Sequence, residues 1–235
     1  MADMRSTPSP RAKPTQARSV AMRRKLIRAA LDVIYDEGYN SASTPEFSRR
    51  AGVSRGALLH HFPTRADIIL AAMEELLNEG TREIRQVTDR VARQELSLGE
   101  YVEFLWEMFS GRFFYISLEF ITEARTDPEL RAGMIPVVRD FHAALDTIWT
   151  EFEKQADGLP HNARAAMNMT VCLVRGMGVQ TVLKDDPAYY RAMLETWKTV
   201  LPQILDAGQS EITLPGPRSD ARPDVRSEPG TARRP

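Results

Sequence analysis

Arginine side chains stand out in the first part of this sequence, because several fall inside segments with helical signals. Residues 1–65 hold 12 Lys or Arg and 5 Asp or Glu, whereas residues 66–235 hold 19 and 27, so a net charge of -1 conceals a basic first part. Guanidinium groups bind phosphates and the base edges of DNA. A basic tail would explain the arginines before residue 20, but not Arg49, Arg50, Arg55 and Arg65. Charge alone leaves two interpretations open, a nucleic-acid partner and a basic tail on an ordinary domain.

Local signals place these arginines around two short helices. Ser43 or Thr44 can cap the first helix, and Gly52 can end it with the positive φ that a tight turn requires. Ser54 can cap the second helix, which puts Arg55 in its first turn. Two short helices joined by a three-residue turn and packed on a preceding helix form a helix-turn-helix. This spacing predicts that Ser54 and Arg55 face base edges in a DNA major groove.

The stretch Leu26–Met73 resembles the DNA-binding domain of the tetracycline-repressor (TetR) family of bacterial regulators. The matching segments are Glu37-Gly38-Tyr39, Ala51-Gly52-Val53-Ser54, Gly56 and His61-Phe62-Pro63-Thr64-Arg65. The resemblance implies that the DNA-binding residues are Ser43, Thr44, Ser54, Arg55, Gly56, Leu59, His60 and Arg65. Ser43, Thr44 and Arg65 would approach phosphates. Leu59 stands where the family usually has Tyr, so the Tyr hydroxyl that would contact phosphate is missing. The hypothesis is that Leu59 instead makes an apolar contact with a thymine methyl.

Arg55 is the residue expected to read bases directly. Its guanidinium can bond guanine O6 and N7, a contact that contributes about 1–3 kcal/mol of discrimination. The alternative is that Arg55 contacts only phosphate. Arg49 and Arg50 are interpreted as part of a solvated face.

The elements that must position these residues are all predicted to be helical. The expected fold class is all-α, with an N-terminal three-helix helix-turn-helix DNA-binding domain and a C-terminal helical ligand-binding and dimerisation domain. Residues 1–20 are predicted to be a disordered basic arm, 21–66 the DNA-binding domain, 67–206 the effector-binding and dimerisation domain, and 207–235 a disordered tail. Helices are expected at about 21–37, 44–52, 54–61, 98–110, 112–125, 128–157, 160–184 and 187–206, with a long helix of roughly seven turns after Thr64. Pro136 should kink or restart the helix that contains it.

Aromatic residues concentrate early in the second domain. Eight of the 18 aromatics lie between Tyr101 and Phe120, on more than one helical face, so they can serve a core or line a cavity. The resemblance implies an inducer cavity here. The candidate lining residues are Trp106, Phe109, Phe113, Phe141, Trp149, Met169 and Cys172, with Arg112, His142 and Arg175 as candidates for polar contacts. A buried Arg would suit a carboxylate ligand, and the alternative for these three is a surface or ion-paired position.

The last two predicted helices carry the expectation of a homodimer. Apolar residues keep helical spacing at Met167, Val171, Val174, Gly178 and Val182, and again at Met193, Trp197, Leu201 and Leu205. In the TetR family these two helices from each subunit form a four-helix bundle. The alternative is that both stripes serve the core of the monomer. A twofold dimer would place two recognition helices on a palindromic operator in double-stranded DNA.

Other classes of function find little support. The four His residues lack metal-site spacing, and no nucleophile elbow, phosphate loop or dinucleotide fingerprint is present, so neither an enzyme, a cofactor nor a metal is expected. No apolar run is long enough for a membrane span and no secretory signal begins the chain, which favours a cytoplasmic protein. The sequence predicts a ligand-responsive DNA-binding transcriptional regulator, a repressor released from a palindromic operator by a small organic effector. The alternative is an all-helical protein-interaction module without sequence-specific DNA binding.

Overall fold

The computed structural model describes residues 14–155 and 163–206, and the regular structure within those ranges is entirely helical. In chain order the helices are α1 (Pro14–Glu37), α2 (Thr44–Ala51), α3 (Arg55–His61), α4 (Arg65–Ala92), α5 (Leu98–Phe109), α6 (Arg112–Ala124), α7 (Pro128–Gln155), α8 (Ala163–Thr181) and α9 (Pro187–Asp206). A 3₁₀ turn, Tyr39–Ser41, follows α1. The predicted all-α fold class is confirmed.

Three features differ from the sequence prediction, and the first is that α8 ends at Thr181 rather than at about 184. Helix α1 begins at Pro14, so residues 14–20, predicted as part of a disordered arm, are helical. Proline suits a first helical position because the N–H it lacks would have no partner there. Helix α7 continues through Pro136 without restarting, and this residue is exposed, where water can satisfy a freed carbonyl. The predicted disorder of residues 1–13 and of the tail 207–235 lies outside the described residues.

The turn between α2 and α3 has the predicted geometry. The Ser43 hydroxyl accepts the backbone N–H of Glu46 at 3.4 Å, and the Ser54 hydroxyl accepts that of Ala57 at 3.2 Å. Gly52 ends α2 with φ 59° and ψ 42°, in the left-handed region that glycine enters at little cost. The local sequence signals therefore fix where the recognition helix starts.

Two groups of buried side chains form the interior, and α4 contributes to both. The first group joins α1, α2 and α3 to the first part of α4, α6 and α7, and includes Leu26, Phe47, Leu58, Ile68 and Phe120. The second surrounds the later part of α4 with α5 to α9, and includes Ile84, Leu105, Trp149, Val174 and Leu201. The predicted boundary between residues 66 and 67 falls inside α4, so the two predicted domains share this helix.

Helix α6 contacts the DNA-binding region at both of its ends. At its start, the Arg112 guanidinium donates to the Asp32 carboxylate of α1 at 2.5 Å and lies over the Tyr35 ring, 4.9 Å from the ring centroid. Near its end, the Glu119 carboxylate accepts the backbone N–H of Tyr39 at 2.9 Å. These long-range contacts connect the helical remainder of the chain directly to the helix-turn-helix.

Candidate DNA interface and effector cavity

Helix α3 presents a polar face to solvent while its other face packs in the core. Leu58 is fully buried and anchors the helix, whereas Arg55, Gly56 and His60 are exposed. Leu59 is half-buried and packs against the edge of the core, so part of its side chain remains open to a DNA partner. The Arg55 guanidinium is exposed, and no described residue forms a hydrogen bond or an ion pair with it.

The two arginines at the end of α2 are already paired with carboxylates. Arg50 donates to Asp36 at 2.6 Å and to Glu37 at 2.7 Å, which ties α2 to α1. Arg49 donates to Glu46 through Nε at 2.8 Å. These hydrogen bonds raise the pKa of both guanidinium groups. The interpretation of Arg50 as part of a solvated face is therefore incomplete, because the Arg50 side chain joins α2 to α1. On the neighbouring helix α3, the positive charge of Arg55 is unpaired among the described residues.

Arg65, which the resemblance implies for phosphate, is occupied within the protein. Its guanidinium donates to the Tyr39 carbonyl at 3.0 Å and to the Ala42 carbonyl, and its central carbon lies 4.5 Å from the centroid of the Tyr39 ring. Arg65 thus holds the 3₁₀ turn against the start of α4. Ser43 and Thr44 are half-buried at the start of α2, and the phosphate contacts of all three residues stay predictions.

A cavity of about 130 Å³ lies between α4, α5, α6, α7 and α8. It is lined by Met73, Leu76, Leu77, Phe109, Phe113, Phe114, Ser117, Phe120, Ile121, Val138, Phe141, His142 and Arg175. Five of the predicted ligand residues are therefore brought together here, namely Phe109, Phe113, Phe141, His142 and Arg175. The lining is predominantly apolar, and the Ser117 hydroxyl is already committed, since it donates to the Phe113 carbonyl at 2.7 Å.

The polar end of this cavity is basic. Arg175 is half-buried, and its guanidinium carbon lies 5.9 Å from the centroid of the Phe109 ring. Burial, followed by the positive charge of Arg175, holds the pKa of His142 below its usual value, while Asp146 opposes that shift. The residues that line the cavity include no carboxylate, so the charge of Arg175 is left available to a ligand.

Two predicted aromatic ligand residues belong to the core instead. Trp106 stacks on Tyr190 of α9, with 5.4 Å between the ring centroids. Trp149 is fully buried and meets Tyr101 edge to face at 6.1 Å. Sequence spacing shows that these rings lie on apolar helix faces, but it does not distinguish a face that meets another helix from one that borders a void.

Three further predicted ligand residues also lie away from the cavity. Met169 and Cys172 are exposed, on the side of α8 opposite the buried Val171 and Val174. Arg112 is exposed and pairs with Asp32, as its alternative interpretation allowed. None of these three residues lines the cavity. Met169 and Cys172 lie on the outward side of α8, and Arg112 forms an ion pair with Asp32 of α1.

Sequence reasoning missed the contribution of α4 and much of α6 to the cavity. Met73, Leu76 and Leu77 of α4 line the cavity, but none of them is among the predicted ligand residues. Helical periodicity predicts a long helix here, but it does not indicate which helices cover its apolar face. The cavity therefore depends on packing that periodicity does not specify.

An open surface groove of about 940 Å³ adjoins the cavity. Ile121, Val138 and His142 line both, so these three residues form the boundary between them. The groove also contains Arg125 and Arg131, both exposed. The groove therefore lies next to the cavity at His142, and it carries arginines and the carboxylate of Asp146.

Most of the apolar residues predicted for dimerisation face the chain's own core. Met167, Val171, Val174, Gly178, Leu201 and Leu205 are buried, and Met193 and Trp197 are half-buried. Val182, the last residue of the first predicted stripe, is 57% exposed. Helix α8 instead exposes a different stripe at helical spacing, which continues past its last turn: Met169, Cys172, Gly176, Val179 and Leu183. The alternative that the predicted stripes serve the monomer core agrees with this burial.

Neither a membrane-spanning helix nor a cluster of metal ligands is present in residues 14–155 and 163–206. No helix there has an apolar stretch long enough to cross a membrane. No group of three or more His, Cys, Asp or Glu side chains converges in a way that could hold a metal ion.

Comparisons with known proteins match both parts of the chain. A family model described as bacterial regulatory proteins, tetR family, matches residues 26–72. The transcriptional regulator CymR of Pseudomonas putida is 29% identical over 178 residues, which are 76% of this chain and 88% of CymR. The match to CymR extends well beyond the helix-turn-helix into the helical remainder.

Solved structures share the fold over most of the chain. A Mesorhizobium loti protein assigned to the TetR family superposes with a TM-score of 0.66 at 15% identity, covering 81% of this chain and 98% of that one. The multidrug binding protein EbrR, complexed with ethidium, gives a TM-score of 0.54 at 26% identity and covers 78% and 97%. The likeness to these structures spans both the helix-turn-helix and the region that contains the cavity.

Proposed function

Because this chain belongs to the TetR family of bacterial regulatory proteins and is a DNA-binding transcriptional regulator, we propose that it represses transcription from a palindromic operator. A small organic effector that fills the cavity between α4 and α8 releases it. The observation that carries the proposal is the joint presence of an exposed recognition face and an apolar cavity, connected by α6.

The DNA half of the proposal rests on α3. Its exposed face carries Arg55, Gly56 and His60, and Ser54 caps its start. Arg49 and Arg50 are neutralised by carboxylates of α1 and α2, so Arg55 supplies the available charge where base edges would lie. An unpaired guanidinium at this position supports base reading in a major groove.

The effector half of the proposal rests on the cavity and on the ligand bound by a protein of similar structure. EbrR is a multidrug binding protein complexed with ethidium, which supports a small organic molecule as the effector of a chain with this fold. The cavity here has aromatic walls and a basic end, as ligand sites with a few placed polar groups do.

Coupling between the two halves would run through α4 and α6. Both helices line the cavity, and α6 is hydrogen-bonded to α1 and to the 3₁₀ turn. An effector that binds better to a conformer with α4 tilted shifts the population toward it, and its effect on DNA affinity is limited by its differential affinity for the two conformers.

A homodimer through α8 and α9 is part of the proposal. The exposed stripe of Met169, Cys172, Gly176, Val179 and Leu183 leaves apolar surface on α8 that no described residue covers. A twofold axis there would hold two copies of α3 about one duplex turn apart, roughly 34–36 Å. The operator of a bacterial regulator is cytoplasmic DNA, so we place the protein in the cytoplasm, and we assign it no catalytic activity.

The test is selection of random duplexes by the purified protein at 0.1 M salt, followed by sequencing. The expected result is a palindromic motif with half-sites about one turn apart. In vitro transcription from a promoter that carries this motif should fall when the protein is added, and a rise would mean activation instead. Uniform, salt-sensitive binding with no motif would contradict the proposal and favour the protein-interaction module.

A further inference from the structure

We infer that the effector is a small monocarboxylate with a single ring, bound with its carboxylate on Arg175 and its ring among the aromatic side chains of α5, α6 and α7. This inference rests on the proposed function, because it names the chemistry of the effector that the cavity would accept. It differs in charge from ethidium, the ligand complexed with EbrR.

The size of the cavity limits the ligand to about one ring. An apolar cavity of about 150 Å³ binds benzene, whereas drug-sized ligands occupy roughly 300–1,000 Å³. The cavity here is about 130 Å³. A second fused ring would have to displace side chains or extend past His142 into the open groove.

The side chains that line the cavity favour an apolar ring as the uncharged part of the ligand. Phe109, Phe113, Phe114, Phe120 and Phe141 all border the cavity. Aromatic side chains favour edge-to-face and offset contacts with another ring. Since the hydroxyl of Ser117 is committed to a backbone carbonyl, the walls offer little to a sugar or another polyhydroxylated ligand.

The basic end fixes the charge of the ligand. Arg175 lines the cavity, is half-buried beside Phe109, and has no ion-pair partner among the residues that the structure describes. A guanidinium matches a carboxylate with two parallel hydrogen bonds, and partial burial strengthens that contact. An organic cation would meet repulsion from Arg175 and find no carboxylate in the lining.

The entrance favours the same charge. The groove that adjoins the cavity at His142 is lined by one carboxylate, Asp146, and by a larger number of arginines, among them Arg125 and Arg131, both exposed. Cationic groups along a cleft raise the local concentration of anions and speed their association. Entrance and cavity therefore select for the same class of ligand.

The test is calorimetric titration of the full chain with probes matched in shape. Benzoate, phenylacetate and cyclohexanecarboxylate are the acids, benzamide and benzyl alcohol their neutral counterparts, and ethidium the cation. We expect at least one single-ring acid to bind about tenfold or more tightly than its neutral counterpart, because a hydrogen bond to a charged group is worth at least that factor. Arg175→Gln should remove this preference, and Arg175→Lys should keep part of it.

The control is Arg191→Gln, which removes an exposed arginine of α9 that does not line the cavity. It should leave the acid affinity unchanged, and thermal unfolding checks that each variant is folded. The inference is overturned if neutral probes bind as tightly as acids, if Arg175→Gln has no effect, if ethidium binds best, or if no single-ring acid binds. Duplex selection with effector-free protein tests the proposed function separately, so either can fail while the other stands.

Discussion

The arginines of this chain take different roles because their neighbours differ. Arg50 bridges two carboxylates of α1, Arg65 holds the Tyr39 turn, and Arg55 is exposed with no partner among the described residues. A guanidinium already bonded to a carboxylate must give up that bond before it can bind a phosphate or a base. A guanidinium without such a bond brings its full charge to DNA, so among Arg50, Arg55 and Arg65 we expect substitution of Arg55 to affect binding most.

We expect Arg55→Ala to weaken binding to the selected operator by about five- to hundredfold, the range that corresponds to 1–3 kcal/mol for a bidentate base contact. Fluorescence anisotropy of a labelled operator at 0.1 M salt measures this change. Arg49→Ala is the matched control, and it should change affinity by less than about threefold, because Glu46 already compensates its charge. Equal losses for the two variants, or an equal loss on random duplex, would mean that Arg55 contacts only phosphate.

His142 makes the binding of a carboxylate depend on pH. In the free protein, burial and then Arg175 of α8 lower its pKa, and Asp146 of α7 opposes them. A bound carboxylate adds negative charge beside the imidazole and raises its pKa, so binding takes up a proton and becomes tighter as the pH falls from 7.5 to 6. A rise of one pKa unit changes affinity at most about tenfold.

Titration of benzoate at several pH values measures this dependence. His142→Gln should make the affinity flat over the same range, because benzoate itself remains ionised well above its own pKa of about 4. If the native protein instead bound benzoate more weakly as the pH was lowered, the predicted direction of the pH dependence would be wrong.

At the scale of helices, the position of a glycine determines where two helices can approach each other closely. A Cβ on Gly178 of α8 would come within 2.0 Å of the Phe109 carbonyl oxygen of α5, which only glycine permits. A Cβ on Gly99 of α5 would meet nothing closer than 3.8 Å. Trp197 of α9 donates to the Thr170 hydroxyl of α8 at 3.0 Å, which fixes the next helix in the layer. The close approach at Gly178 therefore joins two helices of the same chain.

We expect Gly178→Ala to lower the free energy of unfolding by about 1–3 kcal/mol or more, because backbone must move to relieve the overlap. Gly99→Ala is the control within the same helix pair, and it should be neutral or stabilise by up to about 1 kcal/mol, the intrinsic helix preference of Ala over Gly. Chemical denaturation at one fixed protein concentration measures both. Similar stabilities for the two variants would show that α5 and α8 are further apart than the structure has them.

At the scale of the whole molecule, shared helices and an exposed stripe decide how the parts work together. Helix α4 belongs to both groups of buried side chains, so the DNA-binding helices and the cavity share a continuous interior. The stripe of α8 ends at Leu183, which is 95% exposed. Burying such a stripe against a second copy would place the two recognition helices in fixed relation.

We expect Val179→Glu to convert the dimer into a monomer, because Val179 is 47% exposed in the middle of this stripe and a charge there would be buried against a second copy. Light scattering after size exclusion measures the mass. Ile135→Glu is the matched control, since Ile135 is 56% exposed but lies on α7. Operator affinity should fall by well over tenfold in the monomer only, because one copy holds a single half-site. A dimeric Val179→Glu protein would place the interface elsewhere.

The sequence by itself determined the helix-turn-helix. Ser43 and Ser54 cap α2 and α3, and Gly52 takes the left-handed turn, as predicted, because each signal acts between residues a few positions apart. The carboxylate of Glu46, three residues after Ser43, accepts from Arg49. The all-α fold followed from helical periodicity in the same local way.

Only the tertiary structure decided what each apolar face meets. Periodicity shows that Val171 and Val174 share one side of α8 and that Met169 and Cys172 share the other, but it does not say which side is covered. The cavity draws residues from α4, α5, α6, α7 and α8, and five of the ten residues predicted for ligand binding lie along it while the other five lie elsewhere. Arg112 forms an ion pair with Asp32, which lies 80 residues away in the chain. Such contacts depend on the packing of distant segments, which no local pattern specifies.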